Sequence, residues 1–201
     1  MNNRKENEKL YLNGGIKMKT SINTKKIMIN SMLLAIGALL HAITPTLGLP
    51  MQPDFALIML FIIIVLNNGE YKASIAAAIV TGILTAMTTK FPGGQLPNVI
   101  DKVVTGNAVL LIIFMINKIS LIKTINERKK QLIIIGIIMP IGTLISGSTF
   151  LYSALLIVGL PAPFMALFLT VVIPAVIINT IAGVFLTKVI DMSLKRVISL
   201  Q

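Results

Sequence analysis

The chain of 201 residues contains no cysteine, no tryptophan and one histidine, His41. Lacking cysteine, it forms no disulfides and carries out no thiol chemistry, although this does not fix its compartment. His41, as the lone histidine, leaves no H-E-x-x-H metal motif and no Ser-His-Asp triad. No Cys/His cluster has metal-ligand spacing, so neither a metal nor another cofactor is expected. No G-x-x-x-x-G-K run is present, so the chain should not hydrolyse nucleotide by itself. Acidic residues number seven, and all charged residues make up 12%. Ser146-Gly147-Ser148 has no base near it in sequence and reads as small residues packing helices together. These absences argue against an enzyme.

What fills the chain instead is apolar. Hydrophobic residues make up 55%, far from the balance of a soluble domain. They fall in continuous runs near membrane-spanning length, which favours helices over the alternating pattern of a barrel. The expected fold class is an all-α integral membrane protein of six transmembrane helices, near 27–44, 54–67, 73–89, 98–117, 131–158 and 163–187. Residues 1–24 read as a polar cytoplasmic tail, with Met18 an alternative start. Residues 25–201 read as one transmembrane domain. The second span is short for a bilayer, so tilt, shelter or local thinning is expected. Pro140 and Pro174 lie inside the fifth and sixth spans, where local kinks are expected.

The net charge of +11 would point to nucleic acid in a soluble protein. Here it reads as membrane orientation, and no nucleic-acid partner is expected. If the N-terminus is cytoplasmic, seven Lys/Arg lie ahead of the first span in residues 1–26, one in the 68–72 loop, five in the 118–130 loop and three near the C-terminus. Only Lys90 and Lys102 remain for the other side. This asymmetry predicts both termini inside, in a multi-pass protein of the cell membrane.

One island interrupts the oil. FPGGQLPNVIDK, Phe91 to Lys102, holds two prolines, two glycines, two amides and an adjacent acid and base. Other polar groups fall on the same expected outer side: His41, then Gln52 and Asp54 in MQPDF, and Asn107 further along span four. Charges so near hydrocarbon require partners or a wet cavity. Successive helical residues diverge by about 100°, so Asp101 and Lys102 are not expected to pair with each other. One would face a cavity while the other snorkels. Pro97 is expected to break any earlier helix and leave free amides at the start of span four, where anions are favoured.

An acid for an ammonium, and a lysine or free amides for a carboxylate, describe an amino-acid site open to the outside. Its expected residues are His41, Gln52, Asp54, Phe55, Phe91, Gln95, Asn98, Asp101, Lys102 and Asn107. Phe55 and Phe91 would lie against an apolar ligand side chain. Plainer readings also fit: Asp54 after Pro53 suits a helix N-cap, and His41 an interfacial histidine. On span one, Ser31, Ala35, Ala38 and Ala42 place small residues on or near one face. That face suits packing inside the bundle or docking of a separate membrane subunit.

HAITP (His41–Pro45), MQPDF (Met51–Phe55), GILTAMTTKFPGGQ (Gly82–Gln95) and the following Asp101-Lys102 resemble the TrpP-type tryptophan transport protein family of Gram-positive bacteria. The resemblance runs from about Lys25 to the C-terminus. It implies a substrate-binding component of an energy-coupling-factor (ECF) transporter, with six helices and both ends inside. It implies L-tryptophan or a related aromatic compound as ligand, and a transmembrane coupling subunit and ATPase subunits supplied in trans. The small-residue face of span one matches where such components meet the coupling subunit. Gln52 departs from the basic residue common at its position.

The expected function is therefore capture of tryptophan from outside and its uptake through separate energy-coupling subunits, with the indole N–H donating to Gln95 or Asn98. Two alternatives remain at this level: a stand-alone ion-coupled carrier using Asp101 as a proton or sodium site, and a non-transporting membrane assembly protein. Uptake that survives loss of the ATPase subunits marks the first. Absence of any small-molecule affinity marks the second.

Overall fold

The computed structural model describes residues 24–45, 54–119 and 125–199. The chain divides into two units, Met1–Met32 and Leu33–Gln201. The described part of the first unit, residues 24–32, is helical. The second unit is a helical bundle, with no strand among the described residues.

The helices in chain order are α1 (Thr24–Ile43), α2 (Phe55–Leu66), α3 (Tyr71–Thr88), α4 (Gln95–Lys118), α5 (Glu127–Ile157) and a last helix, α6, in three parts. The α6 parts are Phe164–Leu167, a wider π segment at Phe168–Val172, and Ile173–Ser199. Among the described residues, five helices are long and apolar enough to cross a membrane, and α2 is the short one at 12 residues. Gln52 and Met18 lie outside the described residues.

The bundle is oily without and sets a cluster of polar groups into an apolar core. Leu39, Ile43, Met87, Leu111, Phe114, Leu156, Met165 and Phe185 are exposed, while Asn98, Asp101, Lys102, Thr143, Ser146 and Asn179 are buried. Such an exposed apolar surface is unstable in water and stable in lipid. Many hydroxyls are satisfied inside their own helices, as where Thr81, Ser153 and Thr187 donate to the carbonyls of Ala77, Thr149 and Gly183. Without water, that internal bond is the available one.

Helix α2 shows how its short length is accommodated. Every residue from Ala56 to Val65 is buried. A helix that is apolar all round is stable only when sheathed by others, so of the expectations for this span it is shelter that the structure displays. The α3 and α4 backbones meet through small residues: a Cβ on Gly82 would lie 3.1 Å from Val99 Cα, and one on Gly106 would lie 2.8 Å from Ala78 Cβ.

Two helices carry internal prolines, and one of them is irregular there. Helix α5 runs through Pro140. In α6 the π segment ends two residues before Pro174. Pro174 has no N–H to return to the preceding turn, and a widened turn absorbs that gap. Pro97 behaves otherwise than expected. Helix α4 starts at Gln95, not after the proline, and Asn98 N donates to Gly94 O at 3.0 Å. Pro97 thus sits in the first turn, where a missing N–H leaves no helical bond broken.

Candidate functional site

The site lies at the end of the bundle where α1 ends, α2 begins and α3 passes into α4. Asp54 is the N-cap of α2, as its place after Pro53 allowed, and its Oδ1 accepts from Leu57 N at 2.9 Å. Its second oxygen, Oδ2, lies 2.6 Å from Lys102 Nζ. Lys102 Nζ also donates to Asp101 Oδ2. Asp101 in turn accepts from Thr105 Oγ1 and from Ser146 Oγ, each at 2.9 Å. One buried ammonium is thus held between two carboxylates, and the cluster ties α2, α4 and α5 together.

This overturns the expectation that Asp101 and Lys102 diverge. Their Cα–Cβ bonds do diverge, but the four-carbon stem of Lys102 reaches back to its neighbour. Neither side chain snorkels, since both are 1% exposed. Ser146 also departs from its expected packing role. Gly147 does serve packing, since a Cβ there would lie 2.6 Å from Val172 Cγ1. Ser148 donates to Leu144 O within its own helix. Ser146 instead faces Asp101 from a helix 45 positions away, a pairing that local sequence does not announce.

His41 is buried near the end of α1. Its Nδ1 is 2.7 Å from Thr88 Oγ1, and its Nε2 lies 4.0 Å from Asp54 Oδ1. The Thr88 hydroxyl is already donated to Leu84 O, so the ring Nδ1 is the donor in this contact. Phe91 packs edge-on against Phe150, with ring centroids 5.5 Å apart. Gly93 turns the chain there at φ +72°. Asn98 Nδ2 donates to Gly94 O at 2.8 Å, so both the backbone and the side-chain nitrogen of this residue help close the helix start.

A cavity of about 70 Å³ opens among these groups. His41, Asp54, Phe91, Asn98, Asp101 and Lys102, six of the residues expected from sequence, line it. Asp54 is the more accessible acid, its side chain 19% exposed against 1% for Asp101. Lys90 is exposed at the same pocket, and its Nζ donates to Thr44 O at 2.5 Å. Beyond the charges the lining turns apolar, with Leu57, Phe150, Val171, Val172 and Ala175, and then reaches Thr143 and Asn179. The α5 and α6 contributors were not legible in the sequence, where they stand as single polar or small residues in apolar runs.

The remaining expected residues lie elsewhere. Phe55 is half-buried and Gln95 exposed, and neither lines the cavity. Asn107 is exposed and donates to Val103 O. On α1, Ser31 is exposed in the first unit, while in the second Ala35 and Ala42 are exposed and Ala38 is half-buried. Gly37 instead faces α2, where a Cβ would meet Met59 Cβ at 3.0 Å.

A pocket with two acids, one buried ammonium and an apolar inner wall suits a small ligand carrying both positive charge and an apolar side chain. As it stands, the cavity is about half the ~150 Å³ that admits benzene in an engineered protein core. An aromatic amino acid would have to displace lining side chains or extend through the mouth.

The family model described as "Tryptophan transporter TrpP" matches residues 23–195. A Clostridium perfringens protein named "Probable tryptophan transport protein" is 53% identical over 89% of this chain and 98% of its own length. Proteins of the same name from Clostridium acetobutylicum and Bacillus subtilis are 47% and 40% identical, over 88% and 87% of this chain and 97% and 95% of their own lengths. No solved structure matches the chain. With a family model matching most of the sequence and relatives up to 53% identical over nearly their whole length, the chain belongs to the TrpP family of tryptophan transporters.

Proposed function

We propose that the chain binds L-tryptophan from outside the cell and serves as the substrate-binding component of an uptake system. The observation that carries this reading is the mixed charge of the pocket, whose lining holds Asp54 and Asp101 together with Lys102 and Lys90. Asp54 and Asp101 share one ammonium, that of Lys102. The ammonium of an amino acid is then accepted by Asp54, the more open acid. Lys102 is committed to both carboxylates. Lys90 at the mouth is therefore the better partner for the ligand carboxylate than Lys102, which the sequence had offered. The apolar wall of Leu57, Phe150, Val171 and Val172 receives the indole.

The membrane orientation in this reading rests on the Lys/Arg asymmetry, with both termini in the cytoplasm. The pocket then faces outward. The sequence has no phosphate loop, which fits energy supplied in trans by a transmembrane coupling subunit and ATPase subunits. The exposed Ala35 and Ala42 on α1 form part of the docking face for the coupling subunit.

Because the chain contains no tryptophan, indole emission from purified protein reports ligand. Titration of the ligand-free, detergent-solubilised protein with L-tryptophan is expected to give a saturable emission shift that tyrosine and phenylalanine compete with poorly. A folded sample without any saturable shift rejects the reading.

A further inference from the structure

Among the described residues, three buried side-chain oxygens have no hydrogen-bond partner: Ser74 Oγ, Asn117 Oδ1 and Asn179 Oδ1. A buried acceptor without a donor loses its bond to water and gains nothing in return. Of the three, Asn179 alone lines the main cavity. The residue is 1% exposed. Its amide nitrogen donates to Thr143 Oγ1 at 3.3 Å, which fixes the amide from the α5 side and leaves the oxygen as the unspent end.

The surroundings specify what kind of donor this oxygen takes. Val171, Val172, Ala175, Gly147 and Phe150 line the same cavity and carry no charge. The acids that would hold an ammonium belong to α2 and α4 instead. A neutral donor on an apolar body fits a neutral acceptor in an apolar wall. The cavity at this point is shaped by two local devices. The π segment of α6 carries Val171 and Val172, and π turns interrupting α-helices recur at binding sites. Gly147 lets Val172 approach α5.

We infer that Asn179 is the specificity-determining residue of the pocket, its Oδ1 accepting the N–H of a bound indole. This rests on the tryptophan reading and replaces Gln95 and Asn98 as the acceptor. Gln95 is exposed away from the cavity, and Asn98 stands on α4 with the charged pair Asp101 and Lys102, not on α6 with the valine wall. Asn179 then supplies discrimination, because a site built around a buried polar group rejects an isostere that cannot pair with it.

The test compares L-tryptophan with β-(3-benzothienyl)-L-alanine, in which sulfur replaces the indole N–H at similar size. Both are titrated against detergent-solubilised wild-type protein, Asn179→Leu and Asn179→Ala, the second by displacement of tryptophan emission. Thermal unfolding establishes that each variant is folded. Wild type is expected to prefer tryptophan by roughly 10-fold or more. Either folded variant is expected to bind the two compounds within about 2-fold of each other, through loss of tryptophan affinity alone. A wild type that does not discriminate, or a folded variant that discriminates as well as wild type, overturns the assignment. Failure of wild type to bind tryptophan at all overturns the tryptophan reading itself, and this inference with it.

Discussion

Ser146 Oγ on α5 donates to Asp101 Oδ2 on α4 at 2.9 Å, both groups being buried. The bond links the two helices at the depth where the ligand pocket forms. Asp101 keeps donors from Thr105 and Lys102 if the serine is lost. Ser146→Ala is therefore expected to destabilise the folded protein by about 1.5–3 kcal/mol, the cost of one hydrogen bond to a charged acceptor. Thermal unfolding in detergent measures it. An unchanged midpoint would show that the bond contributes nothing net.

Lys102 is a harsher case. Lys102→Met leaves Asp54 and Asp101 facing each other without a counter-charge, and breaking such a buried cluster costs about 3–5 kcal/mol. Adding Asp101→Asn removes one of the stranded charges. The double variant is expected to recover at least half of the lost stability. If the double variant is no better than Lys102→Met, the lysine's role is packing, not charge.

Gly147 separates pocket shape from stability. A methyl group there would stand 2.6 Å from Val172 Cγ1. Gly147→Ala should push Val172 into the cavity and weaken tryptophan binding by roughly 10-fold, the scale of a kcal/mol-sized clash. Val172→Ala in the same chain makes room and is expected to restore most of the affinity. Titration of the double variant decides whether the clash is with this residue.

Two glycines with positive φ make an internal comparison. Gly93 and Gly159 have φ of +72° and +84°. Each incurs about 1–2 kcal/mol when given a Cβ in this region. A Cβ on Gly93 would also lie 2.5 Å from Val158 Cγ1, whereas nothing lies within 4 Å of one on Gly159. Gly93→Ala should lower the unfolding temperature clearly more than Gly159→Ala. Equal effects would mean that Val158 yields freely.

Binding and uptake should come apart on α1. Ala35 is exposed in the second unit and lies outside the cavity lining. Ala35→Phe is expected to leave tryptophan affinity in detergent within about 2-fold, while uptake by cells falls by roughly 10-fold or more through loss of close helix approach. Uptake at the wild-type level would remove the docking role assigned to this face.

The sequence disclosed the helices well, because each is a long apolar run ended by Pro, Gly or charge. It also disclosed one half of the pocket. His41, Asp54, Phe91, Asn98, Asp101 and Lys102 stand out as polar or aromatic groups beside the helix-breaking island, and six separate signals at one end of the bundle are hard to miss. The other half was hidden. Ser146, Thr143 and Asn179 sit alone in oily helices, where a small polar residue usually bonds its own backbone, as Ser148 does. Only the tertiary pairing of α5 with α4 and α6 distinguishes them. The Asp101–Lys102 pair was misjudged for a different reason. Helical spacing describes where Cβ points, and a lysine stem is long enough to ignore it.

The short, sheathed α2 has a consequence for how the protein is made. Its 12 residues rise about 18 Å, against a hydrocarbon core of about 30 Å. Such a segment gains little from entering lipid on its own, and its lasting position depends on neighbours synthesised after it. The cap carboxylate of Asp54 meets its ammonium only once α4 has emerged from the ribosome. A polar substitution within Ala56–Val65 should therefore reduce the amount of protein reaching the membrane before it reduces the turnover of any copy that arrives.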